Sequence, residues 1–147
     1  MHNGNAALQL AFEPAPALAE AAADKRGSPV SAELGEAMAS ATTAFCYAFD
    51  EHRNYGGLRP ETRTAIGERV GRVAMLALGH EGGDQDFAVH ARDAGRPILR
   101  RCLGAEYFRR FSPTQGDEAI DFFLDGVLGV VGRVVETERA LQLAMAH

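Results

Sequence analysis

The sequence has no run approaching about 18 uninterrupted apolar residues, so no segment reads as a transmembrane helix. Its first residues lack a basic start and a compact apolar core. Glu13, Pro14, Pro16 and Glu20 interrupt the stretch from Met1 to Ala23, which does not read as a signal peptide. Cysteine is scarce. Cys46 and Cys102 lie far apart and show no metal-ligand spacing, which excludes a disulfide scaffold and a zinc knuckle. They read as reduced thiols of a cytoplasmic protein, placed in the core rather than poised for reaction. Basic residues are outnumbered, 15 against 20 acidic, for a net charge of −5. Such a surface repels a phosphate backbone and argues against nucleic acid as a partner. No five-residue stretch alternates like a strand. The chain has no glycine-rich phosphate loop, no serine framed as a nucleophile elbow and no two histidines four apart. No acid, base and nucleophile set converges, so the chain does not read as an enzyme.

What is present is an ordinary globular composition. The 147 residues are 46% hydrophobic and 24% charged, enough for one domain. Helical spacing dominates. Ser28 and Pro29 set up a helix start, and Leu34, Met38, Ala41, Phe45, Ala48 and Phe49 form a stripe over residues 31–52. Asn54, Gly56 and Gly57 end it. A second helix runs from Pro60 to Leu78 on Ile66, Val70, Val73, Leu76 and Ala77. A short third one spans Asp84 to Ala94, with Phe87, His90, Ala91 and Ala94 on one face, and Gly95 and Pro97 break it. A fourth runs from Pro97 to Phe111. Ser112-Pro113-Thr114-Gln115 forms a capping box for the last helix, whose stripe is Ile120, Phe123, Val127, Val131, Val134, Leu141 and Met145. The expected architecture is all-α, five or six helices in residues 28–147, after a partly helical extension at 1–27.

Among the candidate site residues, His90 stands apart. His2 and His147 are terminal, and His52 and His80 sit at helix ends. His90 lies three residues after Phe87 and four before Ala94, on an apolar face. A lone imidazole there serves either as a satisfied core residue or as a metal ligand. With no companion ligands in sequence, the metal would have to bring its own, as haem does.

From His90 onward the chain resembles the end of a globin. His90 on a short helix, Pro97 opening the next, and Phe111-Ser112-Pro113 opening the last follow the globin order, although the 97–111 stretch is about two turns shorter. His90-Ala91-Arg92-Asp93-Ala94-Gly95 is also similar to the Cys-Ala-Arg-Asp-x-Gly phrase of phycobiliproteins, which share the globin fold and add a helical N-terminus. The run from Leu18 to Gly27, followed by Ser31-Ala32-Glu33-Leu34, is similar to their opening. With His90 in place of the cysteine, thioether attachment of a bilin is lost.

The resemblance implies a globin-like domain that binds haem b, with His90 as the proximal axial ligand. It would carry or sense a diatomic gas, or haem itself. Phe45 would pack against the ring and Phe87 would line the slot. Arg92 and Arg96, with Arg100 and Arg101 nearby, would offer cations to the propionates. Two alternatives remain. One is non-covalent bilin binding, with Arg92 on a propionate and Asp93 on the pyrrole nitrogens. The other is a ligand-free helical interaction module that signals through a partner or a homodimer interface.

Overall fold

The structure is a computed structural model and describes residues 29–103 and 116–146. The described residues form four helices and no strand. They are α1 (Pro29–Tyr55), α2 (Pro60–Leu78), α3 (Asp84–Cys102) and α4 (Asp117–Ala146). The all-α expectation holds. The extension at 1–27 and the capping box at 112–115 lie outside the described residues.

Local chemistry sets most of the boundaries. α1 ends where Gly56 takes φ +76°, a left-handed turn that costs glycine little. Arg59 is extended and Pro60 opens α2, its fixed φ suited to a first turn whose N–H has no partner. Asp84 and Asp86 lie in the first turn of α3, Arg100 and Arg101 in its last, each matched to the helix dipole.

One expected break is absent. Residues 84–94 and the start of the 97–111 stretch form a single helix, with Pro97 inside it. An internal proline removes one ladder bond and costs about 3 kcal/mol. Packing offsets that cost. Gly95 is buried against α1, and the two residues after Pro97, Ile98 and Leu99, are each 1% exposed. Burying two such side chains stabilises by about 3–6 kcal/mol.

The helices run alternately up and down. α1 packs on α2 and α3, α4 packs on the same two helices, and α1 and α4 also meet. One core reaches all four, with Met38, Val73, Ile98, Leu99, Ile120, Leu124 and Val127 fully buried. α1 and α3 approach closely because both are small at the crossing. A Cβ on Gly35 would stand 2.8 Å from the Ala94 carbonyl oxygen, and one on Gly95 would stand 3.0 Å from the Met38 Cβ.

The fourth helix outruns α2 and α3. α4 has 30 residues, about 45 Å, while α2 and α3 have 19 each, about 29 Å. Its stripe is buried from Ala119 to Val135 and then continues without cover. Val134, Leu141 and Met145, expected in the core, are exposed: Val134 is turned about 100° from the buried Val135, whereas Leu141 and Met145 lie past the ends of α2 and α3. Phe49, also expected in a stripe, is 47% exposed near the end of α1. Among the described residues, no helix is long and apolar enough to cross a membrane.

Candidate functional site

The six-residue phrase from His90 to Gly95 lies in the middle of α3. The helix turns its residues three ways. Ala91 and Gly95 face the core. Arg92 and Arg96 face α4. His90 and Asp93 face outward.

The side facing α4 is a ladder. Arg92 donates from Nε and Nη2 to Asp125 Oδ1 at 2.9 and 2.7 Å. Arg96 donates from Nε to Asp121 Oδ1 at 2.8 Å. Arg100 donates from Nε to Asp117 Oδ1 at 2.9 Å, and its Nη2 bonds Oδ2 of the same carboxylate. Arginines four apart on one helix meet aspartates four apart on an antiparallel one, so the rungs repeat with each turn. Arg139 of α4 closes the far end with two bonds to Asp84. The hydrogen bond from Arg100 holds the Asp117 carboxyl below the usual carboxylate range, and that from Arg139 does the same for Asp84.

The outward side carries a small polar cluster. Asp86 stands between two imidazoles, 2.8 Å from His80 Nε2 through Oδ2 and 3.4 Å from His90 Nε2 through Oδ1. The hydrogen bond from His80 lowers the Asp86 pKa. The His80 ring meets the Phe87 edge at 5.5 Å and the His90 ring at 5.8 Å between centroids. The two imidazoles take opposite oxygens of one carboxylate and do not converge on a point. Among the described residues, no group of three His, Cys, Asp or Glu side chains is placed to hold a metal ion.

These surroundings do not fit a haem held by His90. The side chain is 59% exposed, and its Nε2 faces a carboxylate rather than an apolar slot. The apolar arc of α3 includes Gly95, Ile98 and Leu99, which moves its centre to Ala91 and leaves His90 on the flank. Arg92 and Arg96, expected on propionates, bond to aspartates instead. Asp93 is exposed, 3.6 Å from Arg96. Phe87 is buried in the core and Phe45 is half-buried against it. A recess beside Phe87, lined by Ala77, Leu128, Val131 and Val135, holds about 50 Å³. Pockets that hold drug-sized ligands measure about 300–1,000 Å³.

A second buried polar group joins α1 to α2. Glu51 accepts from the Arg59 backbone N–H at 2.9 Å, from Arg59 Nε at 2.8 Å and from Thr62 Oγ1 at 2.5 Å. Burial alone would raise its pKa, but the donors of Arg59 and Thr62 outweigh that and lower it. All three donors arrive from the start of α2, so Glu51 fixes the corner. Cys46 is buried, and burial pushes its thiol far up; Cys102 is half-buried, and burial raises it too.

The sequence holds a signal for the ladder. Asp117, Asp121 and Asp125 repeat at the same spacing as Arg92, Arg96 and Arg100. No comparable signal marks His80 with Asp86, or Glu51 with Arg59, since each pair spans a turn between helices. No family model matches the chain, and neither curated proteins nor solved structures yield a match.

Proposed function

We propose that this chain is a helical interaction module that works without a tetrapyrrole. Its working surface is the end of α4, and what that surface takes is an apolar helical segment. The observation that carries the reading is the continuation of the α4 stripe past the bundle. Val127 is fully buried, whereas Leu141 and Met145, 14 and 18 residues further on and within about 40° of it around the helix, are 52% and 85% exposed. Apolar side chains in core register but outside the core mark a contact surface. A helix with such a face is matched by another helix carrying apolar residues three and four apart. The arginines that a propionate would need already hold α3 to α4, which supports a fold closed by its own side chains.

Amide hydrogen exchange on the full-length chain tests the reading. Residues 136–146 should exchange at least tenfold more slowly than an isolated helix end, and Leu141→Asp with Met145→Asp should abolish that protection. Both positions are exposed, so the bundle should keep its melting temperature. Unprotected exchange of 136–146 in the parent chain would overturn the proposal.

A further inference from the structure

We infer that residues 1–28 of the same chain are the segment that covers the end of α4. The inference rests on the function proposed above and names the occupant of that surface.

The topology brings the two together. Phe49, near the end of α1, meets Phe123, near the start of α4, at 6.2 Å between ring centroids. Glu51 meets Thr62 and Glu36 meets Arg72, so α1 and α2 are antiparallel; the end of α2, at Ala77, adjoins Val131 and Val135, and the start of α1 therefore lies at the end of the bundle from which α4 projects. Arg139 agrees, since it reaches Asp84 at the start of α3, at that same end. Residues 1–28 join the fold at Pro29, the first residue of α1, at that end of the bundle.

Reach and composition suit the role. From Leu18 to Pro29 an extended chain spans up to about 36 Å, against about 16 Å for residues 136–146 as helix. Leu10, Phe12 and Leu18 supply apolar side chains, and Ala19 and Ala22 allow close approach. Lys25 and Arg26 adjoin α1 and suit Glu136, exposed, and Glu138, half-exposed, on the projecting end, while the acidic residues of the segment, Glu13, Glu20 and Asp24, lie further from Pro29. The other charges on that stretch are Arg133 and Arg139, and Arg139 is paired with Asp84.

A second copy of the chain suits the surface less well. Stable protein interfaces bury about 1,200–2,000 Å² in total. A helix face about 16 Å long and about 10 Å wide offers roughly a few hundred Å² per copy. A tethered segment needs far less, because its effective concentration is on the order of millimolar and it loses little freedom on docking. A cover of this kind is displaceable, so a partner helix can compete for the same stripe.

The test uses hydrogen exchange on the full-length chain at concentrations where light scattering reports a monomer, comparing the parent with Leu10→Asp plus Leu18→Asp. The expected result is protection of 136–146 in the parent and at least tenfold faster exchange there in the variant, with α1–α3 unchanged. Protection of 136–146 that the variant keeps would overturn the inference and leave the proposed function standing. So would protection that grows with protein concentration, which would assign the surface to a second copy. Absence of protection in the parent would remove both.

Discussion

Arg96 donates to Asp121 at 2.8 Å across the seam between α3 and α4, and this pair is the least exposed rung of a three-rung ladder. The Arg96 side chain is 25% exposed and that of Asp121 is 32% exposed. Partial shielding strengthens a charge-assisted bond, and neighbouring rungs hold both side chains in place.

A double-mutant cycle on Arg96→Ala and Asp121→Ala should give a coupling of about 1 kcal/mol, the upper end for such pairs. Arg92→Ala should cost about 0.5 kcal/mol or less, since its partner Asp125 is 56% exposed. Urea unfolding measures both. At about 1 M salt the Arg96 coupling should shrink by roughly half. A coupling of zero at low salt would mean that the ladder is decorative.

The crossing of α1 and α3 predicts opposite outcomes for two glycines. Gly35→Ala should destabilise by about 1–3 kcal/mol, because its Cβ meets the Ala94 carbonyl oxygen and Ile98 Cδ1 at 2.8 and 2.9 Å. Gly71→Ala meets nothing within 4 Å and should stabilise by about 0.5–1 kcal/mol through helix propensity. Thermal unfolding should therefore move down for one and up for the other. Equal shifts would deny the close approach.

Acid should weaken the corner between α1 and α2. Glu51 has a folded pKa below its unfolded value of about 4.3. Its contribution is therefore fully present above that value and is lost as the pH falls through the lower folded value. Glu51→Gln should lower stability at neutral pH by about 1–3 kcal/mol, leaving the Arg59 and Thr62 donors without a charged acceptor. The gap between variant and parent should close below pH ~4. A gap that stays constant down to the acid limit would assign the effect to packing. Asp84, Asp86 and Asp117 add to the acid sensitivity of the parent in the same direction.

Much of the architecture was legible because it rests on short-range periodicity. The 60–78 helix has the same ends in sequence and structure, since Pro60 and Gly79 punctuate both. Pro97 misled because its cost is local and the compensation is not. Gly95, Ile98 and Leu99 repay the lost bond through α1 and α4, which no window on α3 reveals. His90 misled for a related reason. Spacing from Phe87 and Ala94 places it on an apolar face, but the true arc is set by which helices lie alongside. Met145 shows the same limit from the other side. Its register is that of the core, and only the lengths of α2 and α3 decide that nothing described covers it.

Titration of the parent and of His90→Ala with hemin, followed by absorption, tests the account most directly. A fold closed by the α3–α4 ladder, with His90 at the surface beside Asp86, predicts the same spectrum for both proteins and no sharp Soret band at one equivalent. A sharp Soret band that saturates at one hemin per chain in the parent and is lost in His90→Ala, with the fold intact, would contradict it.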